Sequence, residues 1–326
     1  MLPVPINRTG ALRLPDGRRL TFVETGPPNG RPVIYCHGAI GTPLRDTVKL
    51  GPLTHRLHAR YIAVNRPGFG GSDLVGGRTV TAFASDLTAL VDALHIERFF
   101  LVGVSAGGPY ALAAAHALDT RVIRTAVCSS LSPLGAPHRT PGMPPRIRMG
   151  LAALAAMPRT AQRLGDALLP VLHRHPGLLH RVIAAHAAPT ERARLAEAGE
   201  RRAAGTSFLN ATAYGVGGMI EDYLTYSRGW GFRPQDVSTE VQVWHGGLDP
   251  LVPVEHALQL AVSLPACRVF LDPDEGHHFF RRRLEDIMTV LLNPDRGPHR
   301  LSLAGARAML AARGGGASAD AARVTA

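Results

Sequence analysis

Apolar residues in the first 130 positions fall into short runs separated by polar, glycine- and proline-containing joints, and two periodicities alternate along them. Runs at 18–24, 31–36, 61–64, 98–102 and 122–128 are compact and rich in Val, Ile, Phe and Tyr, which predicts strands. Between them, 51–59, 79–94 and 110–118 repeat apolar positions at three- and four-residue spacing, which predicts helices. Strand and helix in alternation imply a mostly parallel sheet with helices on both faces. In such a sheet, polar chemistry collects at the carboxyl ends of the strands.

From Ser129 to about Phe232 the strand signal disappears. Ala, Arg, Leu and His recur there at helical spacing, broken by Pro144-Pro145, Pro158, Pro176 and Pro189, which predicts a separate helical layer. The earlier rhythm returns with strands at 241–245 and 267–271 and helices at 254–263 and 281–292. Beyond Asn293 the chain is rich in Gly, Ala and Arg. Residues 301–313 are expected to be marginally helical, and the final dozen residues disordered.

Composition narrows the class of protein. At 326 residues and 45% hydrophobic content, the chain can bury one large core or two small ones. No run of eighteen apolar residues occurs, and Met1-Leu2-Pro3-Val4-Pro5 lacks a charged segment followed by an apolar one. Neither a membrane span nor a signal peptide is expected. Cys36, Cys128 and Cys267 are odd in number and embedded in apolar runs, so they read as reduced core residues of a cytoplasmic protein. The formal charge of +11 comes mostly from arginines scattered without aromatic interleaving, which is an alanine- and arginine-rich composition and not a nucleic-acid footprint. His173 and His175 stand two apart with no acid or cysteine to complete a ligand set, so no metal site and no cofactor are expected. The expected partner is a small-molecule substrate, with neither nucleic acid nor membrane; oligomeric state is not legible.

One motif carries chemistry. Gly103-Val104-Ser105-Ala106-Gly107-Gly108 lies between a predicted strand and a predicted helix. A serine on so sharp a turn holds a strained backbone, and its neighbours must be small for strand and helix to pass. In a chain with 35 glycines the pattern alone is a weak witness, but the strand before and the helix after make Ser105 a candidate nucleophile. The N–H of Ala106, at a helix start, can face developing negative charge.

A nucleophilic serine needs a base, and the base an orienting carboxylate. Asp249 follows the strand at 241–245 and His277 the strand at 267–271, so both can reach Ser105 if all three strands end on one edge. Rival acids are Asp272, Asp274 and Glu240, the last at the wrong end of its strand. The rival base is His278, which as the next residue points away from His277. His245 reads as a strand-end structural residue. The loop Tyr35-Cys36-His37-Gly38-Ala39-Ile40-Gly41 is placed to supply a second oxyanion donor, the N–H of Ala39 or alternatively of Ile40, with His37 bracing the loop.

These motifs resemble the α/β-hydrolase superfamily in its branch with a helical cap. His37-Gly38, the segment Asn65-Arg66-Pro67-Gly68-Phe69-Gly70-Gly71-Ser72-Asp73, the turn at Ser105, the Asp249 loop and Gly276-His277 occur in that family's order, across about residues 10–292. Asn65 stands where the family usually has an acid, and Asp73 is expected to tie the glycine turn to a neighbouring amide. The resemblance implies an α/β fold with an eight-stranded, mostly parallel sheet. It divides the chain into a core of 1–130 and 233–293 and a cap of 131–232; residues 294–326, which have no counterpart in it, are expected to form a flexible tail. It also implies a serine hydrolase working through Ser105, His277 and Asp249, with Ala39 and Ala106 as oxyanion donors.

Expected pocket residues are Ile40, Phe69, Leu131, Tyr214 and Met219. Leu154, Met157, Leu168, Leu169, Phe208 and Tyr223 fit a pocket or plain helix packing equally well. A small or medium apolar carboxylic ester is the favoured substrate. Carbon–carbon hydrolase, lyase or cyclase chemistry on the same fold, or a silent binding protein, are the alternatives, since the pocket decides and not the fold.

Overall fold

A computed structural model describes residues 8–41, 44–133, 145–185, 187–295 and 301–312. Eight strands form one sheet in the order β1-β2-β4-β3-β5-β6-β7-β8. β1 (Arg8–Arg13) and β2 (Arg19–Thr25) are an antiparallel hairpin at one edge, and β2 also runs antiparallel to β4 (Ala59–Val64). From β4 onward, β3 (Arg31–Cys36), β5 (Phe99–Val104), β6 (Val122–Cys128), β7 (Val241–Gly246) and β8 (Cys267–Asp272) are all parallel. Every residue of β5 and β7 is buried, as expected of strands covered on both faces.

Alternation along the strands divides the core into two layers. Ile34, Cys36, Phe99 and Leu101 pack with α2 (Ala82–Ala93), α3 (Gly108–Ala117) and α10 (Val254–Ser263). Val33, Tyr35, Phe100 and Val102 face α1 (Leu44–Arg56) and α11 (Leu284–Leu292). Between β6 and β7 the chain forms only helices among the described residues: α4 (Pro145–Ala156), α5 (Pro158–Arg174), α6 (Gly177–Ala185), α7 (Pro189–Leu195), α8 (Ala198–Ala211) and α9 (Gly217–Ser227).

The predicted strands and helices lie where the sequence puts them, with three differences. β1 escapes the periodicity because it is an exposed edge strand, closed onto β2 through the turn at Pro15-Asp16-Gly17. α1 begins seven residues before the reading at 51 and carries Pro52 in its interior. Residues 301–312, expected within a flexible tail, pack on the core instead. Leu301 N–H donates to the Val269 carbonyl of β8 at 2.8 Å, and α12 (Leu303–Ala312) lies on α10 with Ala306 fully buried. The expected disorder of the last dozen residues falls outside the described residues.

The packing of α12 makes a measurable demand. Ala306→Asp, which places an unpaired carboxylate in the core, lowers the unfolding free energy by about 3 kcal/mol or more. Ala304→Asp, on the exposed side of the same helix, changes it by less than about 0.5 kcal/mol. Urea midpoints of the two variants check this, and equal midpoints would mean that α12 does not pack on α10.

Candidate active site

Ser105 stands in a single 3₁₀ turn, Ser105–Gly107, between β5 and α3, with φ at 53°. That left-handed conformation is costly for a serine, and the packing around it holds the strain. A Cβ on Gly107 would collide with the Cys36 carbonyl of β3. One on Gly103 would meet Ala111 at 2.7 Å. The glycines thus let β3, β5 and α3 approach closely enough for the turn to stay tight.

His277 follows β8 and Asp249 follows β7. His277 Nε2 lies 3.1 Å from Ser105 Oγ, and His277 Nδ1 lies 2.7 Å from Asp249 Oδ2. The carboxylate accepts only, so Nδ1 carries the proton and Nε2 is free to accept from the serine hydroxyl. The other oxygen of Asp249 accepts from the Leu251 and Val252 N–H groups at 2.9 and 2.8 Å. His245 Nε2–H donates to the Val252 carbonyl at 2.8 Å and lies 3.5 Å from Asp249, so it braces the acid loop.

None of the rivals takes a place in this chain of hydrogen bonds. Asp272 pairs with Arg283 at 2.8 Å, Glu240 with Arg124 and Arg268, and Asp274 meets Thr190 only through its carbonyl oxygen. His278 borders the same cavity, but its ring stands perpendicular to that of His277, and its backbone N–H donates to Glu191 of α7 at 2.6 Å.

Electrostatics follow from burial and neighbours. Burial disfavours the His277 imidazolium, but the adjacent Asp249 charge and its hydrogen bond outweigh this and raise the group above the ordinary 6.5. Burial likewise opposes the Asp249 carboxylate, yet His277, His245 and the Val252 N–H hold it below 3.8. Burial lowers His245 below 6.5 and keeps it neutral.

The loop after β3 rests on buried ions that the sequence reading did not foresee. Arg66 is fully buried; its guanidinium donates to the His37 carbonyl and, at 3.3 Å, to that of Gly38. Arg66 N–H donates to His37 Nε2 at 3.2 Å, which leaves Nδ1–H to donate to the Gly38 carbonyl at 2.8 Å. Burial, then the Arg66 charge, holds His37 well below 6.5, so it stays neutral. Asp222 of α9 balances Arg66 at 2.6 Å, pairs with Arg78, and accepts from Tyr110 at 2.7 Å. Tyr226 of the same helix donates to the Ala106 carbonyl at 2.7 Å. Asp73 accepts from the Arg19 N–H at 2.7 Å, the turn-tying contact expected of it.

A cavity of about 340 Å³ opens on Ser105 and His277. Ala39, Ile40, Ala106, Leu131 and Met219 line it, as does Tyr223. Two expected pocket residues do not. Phe69 is buried beneath the loop after β3, edge-on to His37 at 4.8 Å with Arg66 over its ring. Tyr214 is 76% exposed and borders a separate surface cleft with Arg19 and Asn65. The helical layer contributes Leu151, Ile183 and Leu195 in their place.

The sequence pattern of the α/β hydrolase fold family matches residues 31–281. The chain belongs to that family. It is 31% identical over 128 residues to a non-heme chloroperoxidase of Streptomyces lividans, a match covering 38% of this chain and 46% of that protein. The chain thus spans less than half the length of the curated relatives it matches. Among solved structures it resembles a hydrolase from Pseudomonas aeruginosa at TM-score 0.67 and 18% identity, covering 88% of this chain and 98% of that one. A thermophilic esterase from Thermogutta terrifontis matches at 0.61 and 20%, covering 87% and 96%. These likenesses establish the fold. Among the described residues, no helix is long and apolar enough to cross a membrane and no group of three or more His, Cys, Asp or Glu could hold a metal ion.

Proposed function

We propose that this α/β-fold hydrolase cleaves a small or medium, mainly apolar carboxylic ester through an acyl-enzyme on Ser105. The observation that carries the reading is the unbroken hydrogen-bond chain from Ser105 through His277 to Asp249, opening into a cavity walled mainly by apolar side chains. At about 340 Å³ the cavity sits at the lower end of the usual range for ligand sites, about 300–1,000 Å³.

Ser105 Oγ attacks the acyl carbon while His277 Nε2 takes its proton. The oxygen that becomes negative is held by the N–H groups of Ala39 and Ala106, which border the same cavity. Collapse breaks the bond to the alcohol oxygen, which leaves with the proton from His277. Water then gives a proton to His277 as its hydroxide adds to the acyl carbon, and collapse breaks the acyl–Oγ bond, with His277 returning the proton to Ser105 as the acid leaves. Asp249 holds the imidazole in the Nδ1–H tautomer and stabilises its charge throughout. Arg66 and His37 act one step back: they hold the carbonyl of the peptide whose N–H is that of Ala39. The helices between β6 and β7 act as the cap that selects substrate.

A fluorophosphonate probe on the full chain, with nitrophenyl esters of increasing acyl length, tests the reading. Stoichiometric labelling of Ser105 with an optimum at short or middle chain length is expected. Labelling of Ser105 without hydrolysis of any ester would move the reading to carbon–carbon or lyase chemistry on the same residues. Folded protein that is neither labelled nor active would overturn it.

A further inference from the structure

α5 buries Leu169 but also turns a row of large apolar side chains outward. Ten large apolar side chains are exposed among the described residues, and six of them, Met149, Met157, Leu164, Leu168, Val171 and Leu178, fall between positions 149 and 178. Four of the six form one stripe: Met157, Leu164, Leu168 and Val171 follow the i, i+7, i+11, i+14 spacing of a single helix face. They are 57%, 63%, 58% and 48% exposed.

Two polar residues of α5, Asp166 and His173, face the protein. Asp166 Oδ1 accepts from the Val216 N–H at 2.8 Å, and His173 Nε2 meets Thr212 Oγ1 at 2.8 Å. An ordinary surface helix does the reverse, burying its apolar stripe. The outward stripe here has no covering element among the described residues, and exposed apolar side chains gathered on one helix face mark an interaction face.

Charge identifies what the face fits. Residues 145–185 contain six arginines and one acid, Asp166, which is turned inward. Arg159, Arg163, Arg174 and Arg181 are exposed. Arg163 and Arg174 lie about a quarter turn around the helix from Leu164, where their aliphatic stems can follow the apolar surface while the guanidinium groups reach outward. A second copy of the chain would bring these arginines against each other. An anionic surface with an apolar interior would satisfy both parts of the face at once.

We infer that α5, with the adjoining ends of α4 and α6, is a docking face for anionic lipid surfaces, on which it lies in the interface plane. The sequence reading expects no membrane partner because no segment can span one; lying on a surface is a separate property with a separate signature. The inference is independent of the ester reading, because binding is measured without turnover.

The test is co-sedimentation of the full chain with vesicles of phosphatidylglycerol and phosphatidylcholine, against phosphatidylcholine alone. Binding to the anionic vesicles, weakened by salt, is expected. Leu164→Glu with Leu168→Glu lowers that binding at least tenfold while hydrolysis of a water-soluble ester, or probe labelling of Ser105, stays at the wild-type level. Arg159→Gln with Arg163→Gln weakens it by about 25-fold, about fivefold per charge. Equal binding to neutral vesicles, no vesicle binding, or unchanged binding by the leucine pair overturns the inference. If light scattering finds a dimer that the leucine pair dissociates, without vesicle binding, the face joins two copies of the chain and the lipid assignment is wrong.

Discussion

Ser105→Ala lowers kcat on the best nitrophenyl ester by roughly 10⁶-fold, abolishes fluorophosphonate labelling, and leaves the thermal unfolding transition at or above its wild-type position. The size follows from the unit character of the site. Once the nucleophile is gone, His277 and Asp249 have no proton to move, and only the oxyanion donors and the cavity still favour the transition state over water. The effect on stability runs the other way or is small. Ser105 holds φ at 53° and, among the described residues, makes one side-chain hydrogen bond, to His277, so alanine removes little that supports the fold. A loss of activity accompanied by a large fall in unfolding temperature would therefore point to structural collapse, not to a missing nucleophile. Turnover within about tenfold of wild type would remove Ser105 from the chemistry altogether.

How much of this site the sequence reveals depends on the distance over which each part is determined. The turn at Ser105 is local: strand, glycines and helix all lie within twenty residues, and the steric demand that links them can be read directly. Asp249 and His277 are legible for a topological reason. Each directly follows a strand of a parallel sheet, so all three loops must emerge at one edge whatever the details of packing.

Arg66 and Asp222 are different. They lie 156 positions apart, on a loop and a helix whose meeting depends on how the helical layer sits on the sheet, and no periodicity records that. Glu191 meets the His277 loop under the same limitation. Position near the active edge points Phe69 at the pocket, and apolar character in the helical layer points Tyr214 there, yet one packs under an ion-bearing loop and the other faces solvent. The sequence predicts a marginal helix at 301–313 and places it in a Gly-, Ala- and Arg-rich tail; the helix forms, but small residues also allow close helix contact, and Ala306 uses this against α10. α5 reads as ordinary amphipathic packing; only the structure tells which face is outward.

Asp249→Asn lowers turnover by about 10⁴-fold and moves the acid limb of the kcat/KM profile to lower pH. The two effects have separate origins. Asparagine can present its N–H₂ to His277 Nδ1, which favours the tautomer with the proton on Nε2, the atom that must accept from Ser105; this accounts for the loss of rate.

The shift of the limb comes from charge. In the wild type, His277 titrates above 6.5 because the Asp249 carboxylate outweighs burial. The base acts only when neutral, so wild-type activity rises with pH through a midpoint above 6.5. Removing the carboxylate leaves burial unopposed by its largest counterweight, so the imidazolium loses its proton at lower pH and the midpoint falls. Asp274→Asn serves as the control, since that residue's backbone carbonyl accepts from Thr190 of α7 and not from the triad, and its profile should overlay the wild type. Rate profiles from pH 5 to 9 for the three proteins decide the matter. A profile of Asp249→Asn with unchanged midpoint would separate Asp249 from the charge on His277. A collapse in Asp274→Asn instead would transfer the role of the acid to the loop that carries the histidine.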